Sequence, residues 1–168
     1  MKQYHVPVYK TRLEKVGTTD TDRIEITSSK EAADFILPYL RFRATEEVVS
    51  IYLDHAGRLL GSEVVHIGSP TSSQFDVRTI LKSALLAECS KLIIAHNHPI
   101  GKVTEVTEED INATAAIAVG CQQVGIDFCD HIIVNDSGEI ISLGKIVEEI
   151  MKNEEDRTIH QGSTDSRS

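Results

Sequence analysis

The sequence predicts a mixed α/β (α+β) fold: a single domain in which a mixed β-sheet is flanked by helices. Short runs rich in β-branched residues (48–53, 92–95 and 126–134) alternate with stretches whose apolar residues recur at helical spacing. Two of these runs lead through turn-type sequences, at 54–57 and 135–138, into a second run, as hairpins do. The chain has 168 residues, 40% of them hydrophobic, which suits one domain with one sizeable core.

Taken in order, residues 5–15 read as an extended segment in which Pro7 marks an edge. Gly17-Thr18-Thr19-Asp20 reads as a turn. Residues 1–22 are therefore expected to be an N-terminal extended segment, with the domain proper over 23–151. Residues 24–26 fit a short strand. Ser28 or Ser29 then caps a helix with Ala32, Ala33, Phe35, Ile36, Tyr39 and Leu40 as its apolar positions. Pro38 within that pattern predicts a kink or a break. Residues 48–53 and 58–67 form the first hairpin, and a loop covers 68–73.

A helix from about Asp76 carries Val77, Ile80, Leu81, Ala84 and Leu85 at helical spacing. Asp76 and Arg78 read as capping or surface charges. The strand at 92–95 runs into a loop over 99–106. Thr107-Glu108-Glu109-Asp110 has the form of a capping box opening a helix to about Gln123. Residues 126–134 and 139–143 form the second hairpin, and a short helix over 145–151 closes the fold. Residues 152–168 are polar and patternless, which predicts a disordered tail.

The formal net charge of −9 opposes nonspecific nucleic-acid binding, which needs a basic footprint. No apolar run is long enough to cross a membrane, and the first residues lack the apolar centre of a signal peptide, so a cytoplasmic location is expected. Cys89, Cys121 and Cys129 form no C-x-x-C and read as small buried apolar residues.

The chemistry concentrates at His96-Asn97-His98-Pro99 and the following Asp110. Histidines at i and i+2 on an extended chain point to one side. A carboxylate at the start of the next helix could supply a third ligand. Two His and one Asp leave a tetrahedral zinc position open, the arrangement of a catalytic rather than a structural site.

His96-x-His98, a loop, Thr107-x-x-Asp110 and an acidic residue on an upstream strand together resemble the JAMM motif of the JAB/MPN metalloproteases. The closer likeness is to the bacterial RadC-like branch. It is carried by Ala95-His96-Asn97-His98-Pro99-x-Gly101, Val124-Gly125-Ile126 and Asp130-His131-Ile132-Ile133-Val134, with support from Glu46 through Asp54 and from Ile67-Gly68-Ser69. It covers roughly residues 24–143 and implies a JAB/MPN, cytidine-deaminase-like architecture.

The resemblance implies a zinc-dependent hydrolase of peptide or isopeptide bonds, acting on a peptide or protein substrate. His96, His98 and Asp110 would hold zinc, and Glu46 would move the proton of the attacking water. Thr107 would stand where the family has a Ser that donates to the oxyanion. The family loop before the Asp is one residue shorter. An ungapped match puts Val106 at the Ser position and Glu109 at the ligand; a one-residue insertion keeps Thr107 and Asp110, and Thr caps a helix far better than Val. Glu46 is favoured over Glu47 because the family places its Glu eight residues before Asp54.

Two rival expectations are a non-catalytic MPN scaffold that binds a partner protein, and a DNA-repair-associated RadC-like protein. The helix-hairpin-helix module that often precedes RadC-like domains is not found in this sequence, which weighs against the second. His131 is expected to be a structural residue or a support to the ligands, and His5, His55, His66 and His160 fall in no motif.

Overall fold

A computed structural model describes residues 7, 9–22, 24–68, 76–98, 106–135 and 137–153. Strands β1 (Glu46–Leu53), β2 (Leu59–Gly68), β3 (Lys91–His98), β4 (Asp127–Asn135) and β5 (Ile140–Ser142) form one sheet in the order β2-β1-β3-β4-β5. Only β3 and β4 run parallel; all other neighbours are antiparallel. Helices α1 (Ser29–Leu40), α2 (Val77–Leu86) and α3 (Glu108–Gln123) are joined by a fourth, α4, over residues 144–153. The single domain with a mixed sheet and flanking helices is thus as expected, with four helices among the described residues.

The parallel pair needs a crossover, and α3 provides it. Side chains alternate across each strand, so the sheet sorts its residues into two cores. On one face Val49, Ile51, Leu53, Ile93, Ala95, Ile132 and Val134 pack against Ala32, Ala33, Ile36 and Leu40 of α1. On the other, Val48, Tyr52, Leu92 and Ile94 pack against Ile80 and Ala84 of α2, Ile117, Ala118 and Cys121 of α3, and Val147 of α4. With a helix layer on each side, β1 is buried at every position.

Local chemistry explains the boundaries. Ser28 caps α1 by accepting from the Glu31 backbone N–H, and Asp76 caps α2. The β1–β2 turn is held by the Asp54 carboxylate, which accepts from the Ala56 and Arg58 N–H groups. Gly57 closes that turn with φ +86°, where a Cβ would meet the Ile26 carbonyl oxygen at 2.9 Å.

Several expectations change. Pro38 does not break α1: helical bonding resumes beyond it, with Arg41 N–H donating to Leu37 O at 3.0 Å, and the helix ends at Leu40. Residues 24–26 form one bridge, Glu25 with Arg58, rather than a strand. Cys89 and Cys121 are buried as expected, but Cys129 is exposed. The reason is a β-bulge: Leu92 pairs with Phe128 and Ile93 with Asp130, so Cys129 is the extra residue. Helix α4 extends to residue 153, two positions past its expected end. Most of the expected N-terminal extension has no regular structure, and the expected tail from 154 onward lies outside the described residues, as do His5, His160, the loop 69–75 and Gly101.

Candidate metal centre

The central strand β3 passes from core to site within one face. Leu92 and Ile94 lie in the α2/α3 core, and alternation carries His96 and His98 onto the same side. The strand's carboxyl end lies beside the start of α3, the position where α/β proteins commonly build sites.

The first turn of α3 supplies the carboxylate. Thr107 is the N-cap and Asp110 the N3 residue of a full capping box. The Thr107 N–H and hydroxyl both donate to Asp110 Oδ2, at 2.9 and 2.7 Å, while Asp110 N–H donates to Thr107 Oγ1 at 3.1 Å. The other oxygen, Oδ1, lies 3.2 Å from His96 Nε2. Glu109 is exposed, so of the two adjacent acids it is Asp110 that meets the histidines.

His96, His98 and Asp110 each bring a ligand atom to within 4.8 Å of the others. His96 Nε2 and His98 Nε2 are 2.8 Å apart, and His98 Nε2 is 3.7 Å from Asp110 Oδ2. Bonds of about 2.0–2.1 Å at a tetrahedral zinc would separate ligand atoms by roughly 3.3 Å. The 2.8 Å between the two Nε2 atoms and the 3.2 Å from His96 Nε2 to Asp110 Oδ1 lie near that spacing, and two imidazoles with a carboxylate are a donor set suited to a divalent transition metal. These three residues can therefore hold a metal ion.

The electrostatics agree. Burial alone would raise the Asp110 pKa, but the hydrogen bond and charge of His96, with the bonds from Thr107, outweigh it and hold the carboxyl well below the usual range. Asp110 is thus kept as a carboxylate. Its acid is only 4% exposed, and His96 is fully buried.

Glu46 and Glu47 separate across the sheet. Glu47 lies on the α1 side, accepting from the Tyr39 hydroxyl at 2.7 Å with Arg43 at 3.7 Å. Glu46 shares the face of Val48, whose register partner is His96. Burial raises its pKa; the charge of His96 opposes that shift, Asp110 adds to it, and His66 opposes it. At 7% exposure it is a buried carboxyl aimed at the histidine side with no hydrogen bond to a described residue.

Residues 26–149 match the RadC-like JAB domain family. The chain belongs to that family. Curated proteins similar to it include a UPF0758 protein of Methanosarcina mazei, 37% identical over 119 residues, which are 71% of this chain and 51% of the relative. A UPF0758 protein of Trichodesmium erythraeum is 37% identical over 121 residues, 72% of this chain and 49% of its own length. One of Halalkalibacterium halodurans is 33% identical over 117 residues, 70% and 50% of the two chains. This RadC-like chain spans about half the length of the curated relatives it matches.

Three further residues lie at this site: His131, expected as a structural residue or a support to the ligands, and Thr114 and His66, which no motif marks. His131, fully buried on β4, places Nε2 2.8 Å from His96 Nδ1. Burial pushes its pKa well below the ordinary imidazole value and His96 adds to that, against the charge of Asp110. Thr114, one turn beyond Asp110, lies 2.7 Å from His131 Nδ1. His66 pairs with Val48 and so shares the site's face; its buried Nε2 has no hydrogen-bond partner among the described residues and lies where a Cβ on Gly68 would be 2.5 Å away. The hairpin register could have shown His66, had the bulge between Val48 and Val49 been legible. Among the described residues, no helix is long and apolar enough to cross a membrane.

Proposed function

We propose that this RadC-like domain is a zinc-dependent, metallopeptidase-type hydrolase of a peptide or isopeptide bond. The observation that carries the reading is the convergence of His96, His98 and Asp110 on the face that also bears the buried Glu46. Zinc held by those three residues would supply a Lewis acid and bring the pKa of a coordinated water towards about 7. Glu46 is the proton carrier: its environment raises its pKa, so it can take a proton from the attacking water and release it to the departing amine. Asp110 and the two histidines orient the reacting centre, and burial of His96 keeps bulk water from one side of it.

Thr107 is assigned first to Asp110. Its hydroxyl proton is directed to Oδ2, so donation to an oxyanion requires that bond to open. That commitment is the one observation favouring the second reading, a non-catalytic MPN scaffold for a protein partner. The acidic net charge of −9 weighs against nucleic acid as the partner and so against a direct DNA-repair role. A cytoplasmic setting is part of the same proposal.

The test is cleavage of linear and isopeptide-linked peptides by zinc-loaded wild type beside Glu46→Gln. Cleavage by wild type alone supports the hydrolase. Full zinc loading with no cleavage by either across a broad substrate panel favours the scaffold.

A further inference from the structure

His96, His131 and Thr114 form a continuous buried chain whose proton positions can be worked out from its far end. All three side chains are fully buried. Thr114 Oγ1 lies 2.6 Å from the Asp110 carbonyl oxygen. A carbonyl can only accept, so the single hydroxyl proton of Thr114 points there. Towards His131 Nδ1, 2.7 Å away, Thr114 can then only accept, and Nδ1 must carry a proton. Full burial disfavours a second, charging proton on His131, so with Nδ1 protonated its Nε2 is an acceptor. The remaining contact, 2.8 Å from His131 Nε2 to His96 Nδ1, is satisfied only by a proton on His96 Nδ1.

We infer that Thr114 and His131 are positioning residues that lock a proton on His96 Nδ1 and thereby reserve His96 Nε2 for the metal. Nε2 is the nitrogen that faces Asp110 Oδ1 at 3.2 Å and His98 Nε2 at 2.8 Å. The chain also couples the two ends of the site: the Thr114 hydroxyl binds the backbone of Asp110, the third ligand, so the relay ties the orientation of His96 to the first turn of α3.

The fold supplies His131 through the bulge at Cys129. Without that extra residue, the alternation that puts Phe128 in the α2/α3 core would put Asp130, not His131, opposite Ile94. Asp130 instead turns to the other side, where it accepts from the Ser142 hydroxyl at 2.7 Å. Its Oδ1 accepts from the His131 N–H at 2.7 Å, which holds the backbone at the bulge.

Removing the Thr114 hydroxyl leaves His131 Nδ1 without its acceptor. The ring then favours the proton on Nε2, His96 Nδ1 must accept, and the His96 proton moves to the metal-binding nitrogen. This consequence for affinity rests on the metal reading; the proton positions do not, and the test separates them. Nitrogen-15 spectra of the histidine rings in metal-free wild type should show His131 protonated on Nδ1 and bare on Nε2, with His96 Nδ1 protonated. A proton on His131 Nε2 in wild type would overturn the inference. In a chelator competition, Thr114→Val should bind zinc roughly 10–100-fold more weakly, the usual effect of losing a partner that orients a ligand, and Thr114→Ser should restore wild-type affinity. Thr114→Val with unchanged affinity and unchanged ring protonation would also overturn it. Should Thr114→Val fold poorly, the wild-type spectra and the Thr114→Ser affinity still decide. A wild type that shows these proton positions but binds no zinc would sustain this inference and remove the metal reading.

Discussion

Thr107 and Asp110 grip each other through three hydrogen bonds, and the one carboxylate oxygen outside that grip faces His96. The box that starts α3 is therefore also what aims the Asp110 carboxylate at His96. Thr107→Val should lose both functions. Stability should fall by about 0.5–2 kcal/mol, the range for losing an N-cap, and zinc binding should weaken with it. Thr107→Ser keeps the hydroxyl and should keep both. Chemical denaturation of the metal-free variants and a zinc competition assay check the two effects separately; a Thr107→Val protein with intact cap stability would show that the box matters little.

The choice between Asp110 and Glu109 gives a sharp contrast. Asp110→Ala should abolish zinc binding, whereas Glu109→Ala should largely spare it, because Glu109 points to solvent. Isothermal titration with zinc distinguishes the two variants. Loss of binding in Glu109→Ala alone would mean that the helix starts one residue earlier than described.

Glu46 should matter for turnover rather than for the metal. Glu46→Gln should keep zinc and lose roughly 100-fold or more in cleavage rate, the scale of a lost general base. Glu47→Gln should change neither zinc binding nor cleavage rate, because Glu47 meets the Tyr39 hydroxyl and Arg43 on the far side of the sheet. Stability offers a check that needs no substrate. The folded-state pKa of Glu46 lies above the ordinary value of 4.5, so the folded state binds the extra proton more tightly. Stability of metal-free wild type then falls as pH rises from the unfolded-state value through the folded one, and the loss is complete above it. Metal-free Glu46→Gln should thus be more stable than wild type near neutral pH, with the advantage shrinking as pH falls towards the unfolded-state value. Parallel denaturation curves across pH 4–8 (a range set by the carboxyl and imidazole titrations) would contradict that account.

Much of this was legible in the sequence because it is local. The capping box lies within four consecutive residues, and the two histidines need only strand alternation to share a side. The order of strands and helices gave a mixed sheet with helices against it, though not which pair, β3 and β4, runs parallel. What stayed hidden depends on register. Phe128 and Asp130 fit a period of two, and nothing in their types announces the extra residue at Cys129 that turns His131 towards His96 and leaves Cys129 exposed. Thr114 reads as an ordinary helix residue until its neighbours across the sheet are known. His66 enters through a second bulge, between Val48 and Val49. Pro38 misled in the other direction: its missing N–H costs one bond near the helix end, where Arg41 and Leu37 restore the pattern.

The central claim is that His96, His98 and Asp110 form a zinc site, and metal analysis of the purified protein tests it most directly. Wild type, loaded with zinc and dialysed, should retain about one zinc per chain, with nitrogen ligands about 2.0–2.1 Å from the metal by X-ray absorption. The His96→Ala, His98→Ala double variant should retain none. A double variant that keeps its zinc, or a folded wild type that never takes zinc up, would contradict the account.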